Sequence, residues 1–285
     1  MTSWVDGRIV GDGEPSIPSA DRGFLYGDGL FETLRVQDGA PLWWDEHLRR
    51  MAQGAAELGI PMPPEPAWRA AALALLDGAR GRCRLRLVLT RGDGPPGFAP
   101  PPKPDPRMVL TFDPATLPEP PRLVALVRSG EPGLPRLKIL AAPHAVLARR
   151  EAARRGADDA LLVDRRGRVV EATSATVLVA RGGRLVTPPL SDGILPGVTR
   201  SIVLAWAQEA GVACEEASLY LGDVRGADEI LLASSVAGVL PARAVDGREL
   251  PAREGPLARR VSEAFERACR EVGPRAWKKS EKGNR

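Results

Sequence analysis

Nine consecutive residues, Arg82 to Thr90, alternate without a break. Cys83, Leu85, Leu87 and Leu89 fall on one side, and Arg84, Arg86, Val88 and Thr90 on the other. Strand side chains point to opposite faces in turn, so a period of two fits a half-buried strand and no helix. Phe31 to Val36 repeats the pattern, with Phe31, Thr33 and Arg35 opposite Glu32, Leu34 and Val36. Gln37-Asp38-Gly39 then signals a hairpin. Between the two alternating stretches the period changes. Asp45 to Leu58 puts Leu48, Met51, Ala55 and Leu58 on one stripe, with Asp45 as expected N-cap and Gly59 as stop, and a second helix is expected from Pro64 to Leu76. Half-buried strands, hairpins and interspersed helices make an α+β chain rather than a regular βαβ series.

The same reading divides the chain. Trp4 to Val10 is an expected strand with a turn at Asp6-Gly7. The proline run from Pro95 to Pro106 cannot hold a regular ladder and is expected to be extended and mobile. Residues 1–113 are expected to form a small N-terminal domain and 114–122 a Pro-rich linker, with a larger C-terminal domain over 123–272. In that domain, helices are expected over Pro143–Arg155, Val198–Ala210 and Pro256–Val272, and a strand over Val239–Val245. Residues 273–285 are expected to be a frayed tail. The neighbouring pair Trp43-Trp44 suits an interface.

Several function classes fall away. The chain has no apolar run of about 18 residues, so no membrane span is expected. The first residues lack the basic and apolar blocks of a signal peptide, which makes the cytoplasm the expected location. Cys83, Cys214 and Cys269 are few and scattered, and His47 and His144 are the only histidines. Neither a disulfide framework, a zinc site nor a Ser-His hydrolase fits. The net charge is +4. Its arginines are interleaved with acids and form no aromatic-basic array, so no nucleic acid partner is expected.

The positive charge is unevenly made. Lys and Arg total 40, yet the lysines are only Lys103, Lys138, Lys278, Lys279 and Lys282. Lys138 alone lies in a segment expected to pack. A desolvated lysine can give up its proton and an arginine cannot, so Lys138 is a candidate reactive amine; a surface lysine is the bland alternative. Gly193 to Arg200 leads glycines, free backbone N–H groups and Thr199 into a helix start, which suits a phosphate or an ordinary helix entry. Ser234-Ser235 after an apolar strand adds hydroxyls, and Glu171 ends a strand. Arg84 and Arg86 on one strand face suit a carboxylate ligand or a solvated face. An amine, an acid for a ring nitrogen and a phosphate cradle are together what pyridoxal phosphate requires.

The motifs, taken together, resemble the class IV aminotransferases, the fold-type IV pyridoxal-phosphate enzymes. The anchors run in order: Asp21-Arg22-Gly23, Tyr26-Gly27-Asp28-Gly29-Leu30-Phe31-Glu32-Thr33, His47-Leu48-Arg49-Arg50-Met51, Lys138, Gly167-Arg168-Val169-Val170-Glu171, Gly197-Val198-Thr199-Arg200, Ala227-Asp228-Glu229 and Ser234-Ser235. The resemblance spans about Trp4 to Val272. It implies a two-domain α+β enzyme with pyridoxal 5'-phosphate, acting on a small amino substrate, usually as a homodimer. By the same resemblance Lys138 forms the Schiff base and shuttles the proton, and Glu171 holds the pyridine nitrogen. Arg50, Val198, Thr199 and Ser235 bind the phosphate, and Tyr26 and Arg86 lie near the substrate.

Gly27-Asp28-Gly29-Leu30-Phe31-Glu32-Thr33-Leu34-Arg35 is more similar to aminodeoxychorismate lyases than to branched-chain enzymes. The implied reaction takes 4-amino-4-deoxychorismate to 4-aminobenzoate and pyruvate. The alternative is an amino-acid aminotransferase, branched-chain or D-amino acid, passing an amino group to a 2-oxo acid; a cofactor-binding relative with altered activity is a third. The chain departs from its relatives at Ala141, Ala142 and Pro143, where many carry Asn or Tyr. It also departs at Thr176, in place of Asn, and at Pro96, in place of an Arg.

Overall fold

The computed structural model describes residues 2–11, 13, 14, 16–127, 136–250 and 255–281, without the side chains at 273–276 and 278–281. The chain packs as two compact units. One comprises Met1–Thr116, Leu137–Ala141 and Cys269–Arg285; the other comprises Leu117–Arg136 and Ala142–Ala268.

The first unit holds strands β1 (Thr2–Val5) and β2 (Arg8–Val10), helix α1 (Arg22–Tyr26), β3 (Gly29–Gln37), β4 (Ala40–Pro41), α2 (Trp44–Leu58), α3 (Glu65–Leu75), β5 (Arg82–Thr90) and β6 (Arg107–Pro114). Its antiparallel sheet runs β2-β1-β6-β5-β3-β4. Register follows the alternation: Leu30 faces Leu89, Glu32 faces Leu87 and Leu34 faces Leu85. That face packs on α2 and α3, burying Leu30, Leu34, Leu85, Leu87, Leu89 and Leu110 against Met51, Ala55 and Trp68. Phe31, Thr33 and Arg35 lie on the other face beside Val88, Arg86 and Arg84.

The second unit holds β7 (Arg122–Val127), α4 (Pro143–Arg154), β8 (Asp159–Val163), β9 (Arg168–Ala172), β10 (Thr176–Arg181), β11 (Arg184–Thr187), α5 (Val198–Glu209), β12 (Cys214–Glu216), β13 (Leu219–Tyr220), α6 (Leu221–Arg225), β14 (Glu229–Ser234), β15 (Gly238–Pro241), β16 (Ala244–Val245) and β17 (Arg248–Glu249). Two sheets form, β12-β11-β10-β14-β15 and β13-β9-β8-β7-β16-β17. Their facing apolar residues, among them Leu161, Val163, Val177, Val179, Ile230 and Leu232, share one core. The last helix, α7 (Pro256–Glu281), starts under Glu229, whose carboxylate accepts from the N–H groups of Leu257 at 3.1 Å and Ala258 at 2.6 Å. These are two of the N–H groups a helix start leaves unpaired.

Several expectations change. Residues 239–245 are two strands: β15 pairs with β14, and β16 joins β7 in the other sheet. The Ala242 N–H still reaches Ile230 of β14, and the Arg243 N–H crosses to the Pro121 carbonyl, just before β7. α2 begins after Trp43 in the left-handed region, with no side-chain cap, and Asp45 lies in its first turn. The Trp43-Trp44 pair is buried, not exposed. Trp44 donates to Glu65 at 2.9 Å and meets the Trp277 ring edge-on at 5.2 Å. α7 therefore runs past Val272 to Glu281, because Trp277 is 8% exposed and docks on Trp44 and Arg69. Lys138 groups with the first unit rather than the C-terminal one.

The Pro95–Pro106 segment is also pinned rather than loose. Arg22, 3% exposed, donates to the carbonyls of Gly97 at 3.0 Å and Phe98 at 3.1 Å. The Gly97 N–H donates to the Tyr26 hydroxyl at 2.8 Å, and the Tyr26 and Phe98 rings meet at 5.7 Å. Proline removes donors but leaves carbonyls, and a buried guanidinium collects several of them at once.

Candidate active site

In the first unit the site is built along the start of β3. There β3 has no strand beyond it, since β4 covers only Val36 and Gln37. The Lys138 segment fills the gap: the Phe31 N–H donates to the Lys138 carbonyl at 2.9 Å, and the Leu140 N–H to the Gly29 carbonyl at 3.0 Å. Gly29 permits this approach. A Cβ on it would stand 2.4 Å from the Leu89 carbonyl oxygen and 2.8 Å from a Leu140 methyl. Gly27, in the left-handed region at φ 66°, leaves room for Ala141, whose Cβ would be 2.7 Å from a Cβ there. The small residue after the lysine is thus packed against the end of α1.

Lys138 is half-buried, and its Nζ lies 4.4 Å from the centre of the Phe31 ring. The Arg86 guanidinium lies 3.9 Å from the same centre. Burial, then the like charge of Arg84, lowers the proton affinity of Arg86. Tyr26 holds the Gly97 N–H through its hydroxyl, as described above.

The opposite face of β3 carries a buried ion cluster. Glu32, fully buried, accepts from Arg50 Nε at 2.7 Å and Arg50 Nη2 at 2.6 Å, and lies 2.7 Å from His47 Nδ1. Burial works to raise the Glu32 carboxyl. The Arg50 charge and the bonds from His47 and Arg50 outweigh it and hold the group at about 2. Burial pushes the His47 ring down from its ordinary value, so it is neutral, with Nδ1–H donating to Glu32. Its Nε2 is buried without a hydrogen-bond partner among the described residues.

The second unit carries Glu171, Val198, Thr199 and Ser235. Glu171 lies next to the end of β9 and accepts from the Leu195 N–H at 3.4 Å, which ties it to the turn entering α5. Val198 and Thr199 form the first turn of α5 behind N-cap Gly197, which offers no side chain to its N–H groups. The Thr199 Oγ1 is buried and has no hydrogen-bond partner among the described residues. A Cβ on Gly197 would stand 2.8 Å from the Thr176 hydroxyl, so Thr176 packs where this glycine leaves space. Arg200 anchors the turn, donating to the Pro188 carbonyl at 2.9 Å and Glu216 at 2.6 Å. Ser235 follows β14, half-buried in a turn. A buried hydroxyl without a partner among the described residues, at a helix start with no side-chain cap, fits a phosphate group.

Of the eight residues singled out in the sequence, Tyr26, Arg50, Arg86 and Lys138 lie in the first unit and the others in the second. Lys138 and Arg86 meet on Phe31. Arg50 is instead drawn to Glu32, on the other face of the sheet. Phe31, Glu32 and His47 were not singled out. The alternation did carry a signal for Glu32, an acid on the apolar face with Leu34 and Val36, which must find a cation when buried.

Comparison with known proteins gives a consistent picture. Residues 29–245 match the family model described as amino-transferase class IV. The D-alanine aminotransferase of Bacillus licheniformis is 30% identical, over 93% of this chain and 96% of that one. The bifunctional aminodeoxychorismate lyase / D-amino acid transaminase of Mycobacterium tuberculosis is 30% identical, over 88% of this chain and 93% of that one. The crystal structure of 4-amino-4-deoxychorismate lyase from Pseudomonas aeruginosa superposes with a TM-score of 0.79 at 33% identity, covering 94% of this chain and 98% of that one.

Proposed function

The chain belongs to the class IV aminotransferases, enzymes that work with pyridoxal phosphate, and from that premise we propose that it is an aminodeoxychorismate lyase, converting 4-amino-4-deoxychorismate to 4-aminobenzoate and pyruvate. The observation that carries this reading is Lys138 and Arg86 on one aromatic ring, at 4.4 Å and 3.9 Å from its centre. An amine that can lose its proton beside a guanidinium that can take a carboxylate suits a substrate bearing an amino group and carboxylates. The Gly27–Arg35 motif and the likeness to the P. aeruginosa lyase support the lyase over the transaminase.

Bound pyridoxal phosphate supplies an electron sink for the bonds around the substrate's amino carbon. The chain supplies the rest. Lys138 is the amine that anchors the cofactor and the base that moves the substrate's proton at Nζ. Glu171 is the acid for the ring nitrogen. By the family resemblance Val198, Thr199, Ser235 and Arg50 would hold the phosphate; Glu32 orients Arg50 through two bonds. Tyr26 and Arg86 border the substrate.

A second reading, an amino-acid aminotransferase passing the amino group to a 2-oxo acid, is favoured by the D-alanine aminotransferase relative. Product analysis separates the two. Pyruvate released from aminodeoxychorismate with no keto acid present selects the lyase, whereas glutamate formed from 2-oxoglutarate and an amino donor selects the transaminase. Borohydride reduction of the cofactor-loaded chain should fix the cofactor's mass on the Lys138 peptide. An adduct that persists in Lys138→Ala would remove that residue from the role.

The working unit in this reading is a homodimer in the cytoplasm. Phe24 and Phe98, 70% and 88% exposed, give the first unit an apolar surface suited to a second copy. Light scattering should return twice 30.5 kDa. Among the described residues no helix is long and apolar enough to cross a membrane.

A further inference from the structure

Phe31 is reached from both flanks of β3. On one flank β5 pairs in register: Phe31 faces Val88 and Thr33 faces Arg86. Arg86 is therefore the diagonal cross-strand neighbour of Phe31 on the same face, within reach for a long side chain. On the other flank the Lys138 carbonyl accepts from the Phe31 N–H at 2.9 Å, and Ile139 bridges Leu30. Two cations from two different chain segments thus converge on one ring, at 3.9 Å and 4.4 Å from its centre. The face of an aromatic ring is negative, and a cation within about 6 Å of the centroid is attracted to it.

We propose that Phe31 is a positioning residue of this site, its ring holding the Lys138 ammonium by cation–π attraction while it also seats Arg86, so that one aromatic side chain fixes where the amine and the guanidinium stand relative to each other. Packing alone would need only a side chain of similar bulk. The arrangement here calls for a ring, because an aliphatic residue offers no negative face to either cation. The inference rests on the reading of Lys138 as the cofactor's lysine for its meaning, but not for its measurement.

Other ionisable groups on the strands and helix of the first unit set the background against which Phe31 is read. Arg86 comes from β5, Glu32 from β3, and His47 and Arg50 from α2. The Lys138 charge already counts among the influences that lower the His47 ring's proton affinity. Arg50 is bonded to Glu32, and His47 is neutral. Substituting Phe31 removes none of these ionisable groups.

Lysine is so rare here that the test is direct. The full-length chain, labelled with 13C only in lysine, gives signals from Lys103, Lys138, Lys278, Lys279 and Lys282, and Lys138→Arg assigns the one that matters. In the unsubstituted chain, with cofactor removed, ring current should move the Lys138 ε-methylene protons upfield of the other four. In Phe31→Leu and Phe31→Met that displacement should vanish, and the Lys138 titration midpoint should fall by roughly 0.4 to 0.7 units, because the cation loses its stabiliser. Phe31→Tyr, which keeps the ring, should titrate like the parent. A Lys138 ε-methylene signal in the parent chain coincident with the other lysines overturns the proposal without any variant having to fold. So does a midpoint that stays or rises in the Leu and Met chains, or one that falls as far in Phe31→Tyr. Adding pyridoxal phosphate should then shift the Lys138 signal alone. Failure of that last step would sink the Schiff-base role of Lys138 and leave the ring contact standing.

Discussion

At the scale of single residues, the sharpest dependence is on Glu32. Its carboxylate is fully buried and is matched by Arg50 and His47 within 2.6–2.7 Å. Removing one partner of a buried ion pair leaves the other charge uncompensated, which typically costs about 3 kcal/mol or more. Glu32→Gln should lower stability by about that amount in urea unfolding, and it should weaken retention of pyridoxal phosphate by releasing Arg50. Gly29 is the second such residue. The Cβ of Gly29→Ala would stand 2.4 Å from the Leu89 carbonyl oxygen. Overpacking of this kind costs about 1–3 kcal/mol. The strain falls on the residues that hold the Lys138 segment to β3, so Gly29→Ala should lose Lys138 reactivity toward pyridoxal phosphate beyond its loss of stability. Equal retention of cofactor in Gly29→Ala and the parent chain would count against this account.

Among the elements, two pieces of chain are held by one or two side chains. The Pro95–Pro106 segment is tied to α1 by the Arg22 guanidinium and the Tyr26 hydroxyl. Arg22→Ala should free it, and limited proteolysis should then cut near Gly97 several-fold faster while the sheet remains intact. The end of α7 is held by Trp277, wedged between Trp44 at 5.2 Å and the Arg69 guanidinium at 4.5 Å. Trp277→Ala should destabilise by roughly 2–3 kcal/mol, less than a central core tryptophan because it sits at a helix end. The helical signal lost should correspond to the last turns of α7 and no other helix. The element scale also shows where sequence patterns stop being informative. Arg82–Thr90 coincides with the expected strand to the residue, because its alternation is a local property. Val239–Val245 carries an equally apolar pattern, yet its two halves serve different sheets, since only the neighbours tell the chain where to cross.

For the molecule as a whole, the buried cluster sets a dependence on pH. The Glu32 carboxyl is held at about 2 in the folded chain against an ordinary 4.5. A depressed acid contributes stability that is fully present above the ordinary value and is lost as pH falls toward the folded one. The His47 ring, depressed from 6.5, works in the same direction. The unfolded chain binds its proton first, so stability begins to fall as pH drops below that value. Urea midpoints should therefore decline from about pH 6.5 downward and steepen below about pH 4.5. In Glu32→Gln the steep part should flatten. A decline of the same slope in both chains would remove Glu32 as its source.

What the amino-acid sequence determined by itself was whatever depends on neighbours along the chain. It set the α+β alternation, the hairpin at Asp38-Gly39, the helix start at Val198, and the identities of Lys138, Glu171 and Thr199 in a recognisable order. Each is written in spacings of two to four residues or in motifs that survive without knowledge of the fold. Only the tertiary structure decided which groups meet. It laid the Lys138 segment along the open end of β3, turned Arg50 toward a buried Glu32, and set Arg86 and Lys138 on a single phenyl ring. It also buried Trp43 and Trp44, which as an adjacent tryptophan pair looked suited to an interface. The physical reason is that a charge or a ring is assigned its partner by close packing between segments far apart in the chain. The sequence alone carries no record of that contact beyond the need to satisfy it.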